Sequence, residues 1–205
     1  MSPVTTATPP VSPPRGWQQR VRESRFGTLL ILAVTAVIVI FGAYLVDRPS
    51  ATGVTAIDVG PSNGPAPKVG SPAHDFTAMT ADGKKVSLSS FKGQPVWLTF
   101  GATWCAPCQA EAPDIQAAFE KYQPQKLVVL WVSISEDSAT VLDYGQRIGL
   151  TFPMIADPDT NIASAYRVSG IPAHFFIDKS GNLRSIKAGG LSPEKMDVAL
   201  KEISR

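Results

Sequence analysis

The sequence predicts an α/β domain built on a central sheet with mixed strand directions. Two nearly continuous apolar runs, PVWLTFG (95–101) and KLVVLWVSIS (126–135), suit strands that are buried on both faces. Segments with helical spacing follow each run, and a hairpin pattern comes late in the chain. Strands that alternate with helices and end in a hairpin indicate a sheet with helices packed on its faces.

The other elements follow in chain order from turn signals and apolar spacing. A first hairpin is expected from HDFTAM to VSLSSF around Asp82-Gly83. A helix should run from Cys105 to about Tyr122, with Pro113 inside it. The later elements are the helix SATVLDYGQRIG, the strand FPMIAD, the helix TNIASAYRV, the hairpin AHFFID with LRSIKA, and a C-terminal helix capped by Ser192 with Pro193 at its first position.

The N-terminal third of the chain has a different composition. Ten of the 18 prolines fall within the first 72 residues. Residues 1–25 are predicted as a disordered cytoplasmic tail and residues 47–67 as a flexible linker, because both are poor in large apolar side chains. Residues 68–205 are predicted as the folded domain.

Residues 26–46, between the tail and the linker, form a stretch of 21 residues without a charge. A helix of this length crosses a hydrocarbon layer of about 30 Å, whereas the core of a cleaved signal peptide usually has about 7–15 residues. A buried core helix is the remaining alternative. We favour an uncleaved transmembrane anchor, and the four arginines before it, against Arg48 just after it, predict an extracytoplasmic domain on the periplasmic or cell-surface side.

The charges of the predicted domain are balanced. From Lys68 onward the sequence has 14 basic and 14 acidic side chains. A nucleic-acid-binding domain usually has a clear excess of positive charge. No nucleic-acid partner is therefore expected.

The two cysteines, Cys105 and Cys108, stand where a buried strand is predicted to turn into a helix. A structural zinc site needs four ligands, and the two histidines, His74 and His174, are distant in sequence. A structural disulfide across so short a loop would stabilise the fold only slightly. A redox couple is the favoured interpretation, and neither a metal nor a cofactor is expected.

The proposed chemistry follows from the position of the pair. Unpaired amide groups and the helix dipole should stabilise the thiolate of Cys105, which would attack a substrate disulfide. Cys108, one turn further along, would then resolve the mixed disulfide. Pro107 fixes the turn between them.

The segments FGATWCAPCQAEAP and GIPAHFFIDKSGNL resemble the thioredoxin-like proteins of the TlpA/ResA/DsbE type, and the resemblance covers about residues 68–205. These are membrane-anchored, extracytoplasmic thiol-disulfide oxidoreductases. The resemblance implies a thioredoxin-like fold with an N-terminal β-hairpin extension and an inserted βα segment, preceded by one transmembrane helix.

The resemblance also implies roles for residues around the cysteines. Pro172 should follow a cis peptide bond from Ile171, face the pair and expose backbone to substrate. Glu111 should exchange protons with the leaving sulfur of Cys108, three residues before it, although a solvated helix glutamate is its ordinary interpretation. Trp104 is either part of the docking surface or a core aromatic at a strand end.

One position departs from the thioredoxin pattern. Thioredoxins hold a buried aspartate six residues before the first cysteine, and this chain has Thr99 there. Because Thr99 cannot take up a proton, that role is vacant or passes to Glu111. His74 and His174 are expected to be structural.

The resemblance implies a reductant of protein disulfides, with apocytochrome c or a copper-centre assembly factor as client and a membrane thiol-disulfide transporter as electron donor. The same motif serves oxidases and isomerases of secreted proteins, so that alternative stays open. A peroxidase of the peroxiredoxin class would need a proline at Leu98 and a threonine at Ala102. A non-enzymatic tethered binding module would retain its function after Cys105→Ser.

Overall fold

The structure of the chain, a computed structural model, describes residues 25–46, 58–59 and 65–205. Apart from Arg25, the predicted tail lies outside these ranges. Most of the predicted linker, residues 47–67, also lies outside them. The disorder of the tail and the flexibility of the linker therefore stay predictions.

The first of the two units of the chain ends at Thr52 and contains helix α1, Arg25–Val46, of 22 residues. This helix covers the predicted membrane-spanning segment, residues 26–46. Within the described ranges, however, no helix has both the length and the apolar character needed to cross a membrane. The transmembrane anchor therefore stays a prediction.

The second unit, residues 53–205, contains the predicted domain. Its described strands are β1 (Asp58–Val59), β2 (Phe76–Met79), β3 (Lys85–Ser87), β4 (Val96–Gly101), β5 (Val128–Ile134), β6 (Met154–Asp157), β7 (Ala173–Ile177) and β8 (Leu183–Ala188). Its described α-helices are α2 (Ala106–Lys121), α3 (Ser138–Ile148), α4 (Asn161–Ala165) and α5 (Pro193–Ile203). Short 3-10 turns cover Leu88–Phe91 and Gln123–Gln125.

Five of these strands form a mixed sheet in the order β6-β5-β4-β7-β8. Strands β4, β5 and β6 run parallel, and β7 is antiparallel to both of its neighbours. The predicted mixed sheet is thus confirmed. Strand β4 lies at its centre, and the cysteine pair follows the end of this strand.

Strand β4 is buried on both faces because the sheet is covered from two sides. Trp97 packs in one cluster with Ile115 of α2 and Leu200 of α5. The next residue, Leu98, packs in the opposite cluster with Phe76 of β2 and Ile162 of α4. Since neighbouring side chains of a strand point to opposite faces, this double cover explains the continuous apolar run.

Strands β1, β2 and β3 form a second, antiparallel sheet, which includes the predicted first hairpin. Its turn contains Gly83 with a φ of +84°, a conformation that favours glycine. The predicted second strand is shorter than expected. It ends at Ser87 and a 3-10 turn follows, where the carboxylate of Asp75 accepts a hydrogen bond from the Ser89 N–H at 2.9 Å. Strand β1 lies within the predicted linker.

The predicted ends of the helices agree with the structure where a local signal marks them. Helix α3 ends before Gly149, which has a φ of +76°. Helix α5 begins at Pro193, directly after Ser192, which is the N-cap residue but makes no side-chain capping hydrogen bond. Helix α2 begins after Cys105 and continues through Pro113. This last boundary places both sulfurs at the N-terminus of α2.

Candidate active site

Cys105 and Cys108 form a disulfide at the N-terminus of α2, with their Cα atoms 5.2 Å apart. Cys105 is the N-cap of the helix, and its Sγ accepts a hydrogen bond from the Cys108 N–H at 3.3 Å. The exposed fraction is 6% for Cys105 and 0% for Cys108. Cys105 is therefore the more exposed residue of the pair, as the sequence predicts.

The loop between β4 and α2 is held by Glu136, a residue that the sequence analysis did not single out. The Thr103 N–H donates a hydrogen bond to its carboxylate at 2.9 Å, and the Thr103 hydroxyl donates another. The Ser133 hydroxyl donates a third, at 2.5 Å. The sequence did contain a signal for this contact. Glu136 comes just after β5, and the carboxyl ends of the parallel neighbours β4 and β5 lie at the same edge of the sheet, so an acidic residue there can reach the loop after β4.

Trp104 stands immediately before Cys105, and 62% of its surface is exposed. The interpretation as a core aromatic is therefore wrong. A large exposed apolar side chain next to the reactive sulfur suits contact with another protein. Its part in docking stays a prediction.

Ile171 and Pro172 lead into β7, and the peptide bond between them is cis, as expected from the resemblance. The Pro172 carbonyl accepts a hydrogen bond from the Gly189 N–H at 2.8 Å. Ile171 packs against the hydrophobic cluster that contains both cysteines. Ile171 also packs against the cluster on the other face of the sheet. The position of Pro172 opposite the pair and its role in substrate pairing stay predictions.

Glu111 lies one turn after Cys108 on α2 and is only 4% exposed, so the interpretation as a solvated glutamate is wrong. Its Oε2 accepts a hydrogen bond from the Leu191 N–H at 3.1 Å. Burial raises the pKa of Glu111 to about 7; the Leu191 N–H opposes this effect and the charge of Asp114 adds to it. The carboxyl group can therefore gain or lose a proton near neutral pH.

His174 lies opposite Thr99 in the pairing of β7 with β4 and is fully buried. Its Nδ1 is 3.0 Å from the Thr99 hydroxyl and 3.3 Å from Trp97 Nε1. Its Nε2 is 3.5 Å from Glu111 Oε2. Burial lowers the pKa of His174 to about 4, against an opposing contribution from the Gly189 backbone, so the ring is neutral at pH 7.

The contact between His174 and Glu111 was missed by the sequence analysis, which took both histidines as structural. The other one, His74, contacts the Ala165 carbonyl at 3.2 Å and the ring of Tyr166, in agreement with a structural part. The position of His174 two residues after Pro172 could have predicted that it lies on the same face of the sheet as Thr99. It could not have predicted the contact with Glu111, which lies on α2.

No three His, Cys, Asp or Glu side chains within the described ranges are placed to hold a metal ion. The chemistry that this site can perform on its own is thiol-disulfide exchange with proton transfer. Cys105 is the more exposed cysteine, Cys108 is fully buried, and Glu111 offers a carboxyl group that ionises near neutral pH.

Comparison with known proteins agrees with this chemistry. The sequence model of the AhpC/TSA family matches residues 69–186, more than half of the chain. The thiol-disulfide oxidoreductase ResA of Geobacillus thermodenitrificans is 35% identical over 135 residues, which cover 66% of this chain and 78% of that protein.

Solved structures share the fold. A thiol:disulfide interchange protein of the thioredoxin family from Chlorobium tepidum is 28% identical with a TM-score of 0.62, covering 68% of this chain and 100% of that one. DsbF of Mycobacterium tuberculosis, solved in mixed oxidised and reduced forms, is 26% identical with a TM-score of 0.58, covering 62% of this chain and 94% of that one.

The fold and the cysteine pair therefore define the class of the domain: it is a thioredoxin-like thiol-disulfide oxidoreductase. Within that class, the chain belongs to the AhpC/TSA family and to the TlpA/ResA/DsbE type. The resemblance inferred from the sequence is thus confirmed, and with it the thioredoxin-like fold.

Proposed function

We propose that this oxidoreductase works outside the cytoplasm as a reductant of protein disulfides. The observation that carries the direction is the burial of Glu111 one turn from Cys108. A carboxylate there repels a thiolate on Cys108, and strong oxidants of this fold depend on a stabilised reduced form. A pair whose thiolate form is disfavoured keeps its disulfide more stable and gives electrons away.

The reaction takes place in two exchanges. The Cys105 thiolate attacks the client disulfide, a Cys105–client bond forms, and the first client sulfur leaves as a thiolate that takes a proton from solvent. Cys108 then attacks the Cys105 sulfur while its proton passes to the Glu111 carboxylate, and the second client sulfur leaves as a thiolate. Two electrons have moved from the domain to the client, and the Cys105–Cys108 disulfide is the product.

The proposed client is apocytochrome c or another metalloprotein-assembly factor whose metal-site or haem-site cysteines must stay reduced. The TlpA/ResA/DsbE resemblance supports this client class. A membrane thiol-disulfide electron donor would reduce the Cys105–Cys108 disulfide again after each reaction. A tether beside that donor raises the effective concentration of the domain at the donor. Trp104, Ile171 and Pro172 would form the surface on which clients dock.

The proposed location depends on the uncharged stretch of residues 26–46 as a membrane anchor with a cytoplasmic N-terminus. Its support is the uncharged stretch of residues 26–46 and the exposure of every side chain from Thr28 to Phe41 in the structure. Apolar side chains in such number need a cover other than water. The arginines before the segment set the proposed orientation.

A peptide assay tests the reaction. The reduced full-length chain is mixed with the disulfide form of a peptide that carries Cys-x-x-Cys-His, the haem-attachment pattern. We expect one peptide disulfide reduced for each Cys105–Cys108 disulfide formed, and a trapped mixed disulfide with Cys108→Ser. Cys105→Ser is the inactive control. Reduced peptide that is instead oxidised by the oxidised chain would support an oxidase and overturn the reductase.

A labelling experiment tests the location. In a chain with both native cysteines replaced by serine, Arg205→Cys and Ser2→Cys form a matched pair at the two ends. A membrane-impermeant thiol reagent added to intact cells should label the first variant and not the second. Labelling of Ser2→Cys alone would contradict the proposed orientation.

A further inference from the structure

We propose that His174 is a positioning residue for Glu111: Trp97 holds its ring in one tautomer, and its Nε2–H then decides which carboxyl oxygen takes up the proton. The inference deepens the function proposed above, and its consequence for the reaction rests on that function. It concerns a histidine that lies neither on α2 nor within two residues of a cysteine.

The three side chains come from three elements and meet inside the domain. Trp97 lies on β4, His174 on the neighbouring β7 and Glu111 on α2. Trp97 and His174 are fully buried and Glu111 nearly so. Water therefore screens their polar contacts poorly, and each donor and acceptor depends on its protein partners.

The tautomer of His174 follows from the chemistry of its neighbours. The indole Nε1–H of Trp97 can only donate, and it lies 3.3 Å from His174 Nδ1. Nδ1 must therefore accept, and the Thr99 hydroxyl, at 3.0 Å, donates to the same atom. Because the ring is neutral, its single proton is on Nε2.

The Nε2–H faces Glu111 Oε2 at 3.5 Å and has no hydrogen-bond partner among the described residues. This distance is longer than an ordinary hydrogen bond. A buried donor without a partner is costly, and the Glu111 carboxyl group that it faces becomes charged near pH 7. We infer that the contact shortens to a hydrogen bond when Glu111 ionises, as contacts in catalytic sites often do.

The two oxygens of Glu111 then differ in what they can do. Oε2 faces two donors, the Leu191 N–H and the His174 Nε2–H. A proton on Oε2 would point toward the hydrogen atoms of these donors, which is unfavourable. Oε1 has no hydrogen-bond partner among the described residues. The proton released by Cys108 is therefore received on Oε1, while Oε2 holds the carboxyl group in place.

The same arrangement sets the pKa of Glu111. Burial and the charge of Asp114, on the same helix, favour the neutral carboxyl group. The Leu191 N–H, from the segment after β8, and the Nε2–H of His174, from β7, favour the charged one. A hydrogen bond with the Gly189 backbone raises the pKa of His174 itself. Removing the Nε2–H should therefore raise the pKa of Glu111 further.

The test uses the oxidised full-length chain in detergent, labelled with ¹³C at the glutamate carboxyl carbons. The Glu111 signal is the one that Glu111→Gln removes. We expect His174→Phe to raise the midpoint of its titration by about one pH unit, the lower end of what a hydrogen bond to a charged group contributes. His174→Gln keeps an N–H near the Nε2 position and should restore most of the wild-type midpoint. Equal midpoints in the wild type and His174→Phe would overturn the inference.

The unmodified protein provides a second test that does not depend on the folding of a variant. The ¹⁵N shifts of the His174 ring should show a protonated Nε2 and an unprotonated Nδ1 at pH 7. A protonated Nδ1 would overturn the inference. Trp97→Phe should make the two tautomers coexist, since the Thr99 hydroxyl can accept as well as donate.

The inference and the proposed function fail in different measurements. If Glu111→Gln leaves the rate of client reduction unchanged, Glu111 has no part in the reaction and the function proposed for it is wrong. The midpoints and the ring shifts would still test whether His174 positions Glu111. If those fail while Glu111→Gln slows client reduction, the positioning by His174 is wrong and the proposed function stands.

Discussion

Glu111 occupies a position where opposing effects act on one carboxyl group. Burial raises its pKa to about 7, and the Leu191 N–H limits that rise. The carboxyl group therefore changes its charge near neutral pH, which is the condition under which a group both accepts and returns a proton efficiently. Cys108 lies one turn away on the same helix.

Glu111→Gln should slow client reduction about tenfold or more at pH 7, because Cys108 loses its proton acceptor. Since the second exchange needs the charged carboxylate, the wild-type rate should rise with pH through about 7, and the variant should keep only the rise that comes from ionisation of the Cys105 thiol. Stopped-flow oxidation of the reduced chain by a disulfide peptide measures both quantities.

The matched control for this variant is Glu120→Gln, an exposed glutamate on the same helix. It should leave the rate and the pH profile unchanged. An unchanged profile in Glu111→Gln would remove Glu111 from the mechanism.

Trp104→Ala should weaken the reaction with a protein client about tenfold while leaving a small disulfide reagent unaffected, because an exposed aromatic beside Cys105 contributes contact area only to a large partner. The expected change is in KM. Val198→Ala, which removes a similarly exposed apolar side chain on α5, is the control. Equal loss with both substrates would assign Trp104 to the chemistry rather than to docking.

Some features around the cysteines depend on single residues next to them in sequence, and others depend on contacts between distant elements. Gly149 and Pro193 mark helix boundaries through the backbone conformations they allow, so the sequence predicts those boundaries. The placement of the cysteines at the start of α2 is equally local. The contact of His174 with Glu111 is not, because it requires the β4–β7 register and the packing of α2 onto the sheet together.

The loop between β4 and α2 depends on Glu136 of the segment after β5. Glu136→Ala leaves the Thr103 N–H and the hydroxyls of Thr103 and Ser133 without their acceptor, the first two in a partly buried and the third in a fully buried setting. The free energy of unfolding should fall by about 3 kcal/mol, as expected when buried donors lose a charged partner. Urea unfolding followed by tryptophan fluorescence measures it.

The control for this variant is Asp143→Ala, which removes an exposed carboxylate from α3. Its effect on the free energy of unfolding should stay within about 0.5 kcal/mol. A loss for Glu136→Ala no larger than that of the control would show that the loop is held by other contacts.

The stability of the whole domain should depend on pH through Glu111. Its pKa is about 7 in the folded protein and 4.5 in the reference state. Between these values the folded protein holds a proton that the unfolded chain has lost, so the free energy of unfolding falls as the pH rises through this window.

Glu111→Gln removes that dependence and retains an oxygen for the Leu191 N–H. The variant should be more stable than the wild type by about 3 kcal/mol at pH 8, and the difference should vanish near pH 4. Urea titrations of the oxidised full-length chain at both pH values measure it. A wild type that is the more stable of the two at pH 8 would contradict the buried, raised-pKa state of this carboxyl group.

The direction of electron flow is the property of the whole molecule that most directly tests the proposed function. The equilibrium reduction potential of the Cys105–Cys108 couple, measured in the full-length chain against glutathione and dithiothreitol buffers, determines it. We expect a value near that of thioredoxin, about −270 mV, which means that the domain donates electrons and needs a donor of its own. A value near that of strong oxidants, about −120 mV, would mean that the domain forms disulfides and would contradict the reductase.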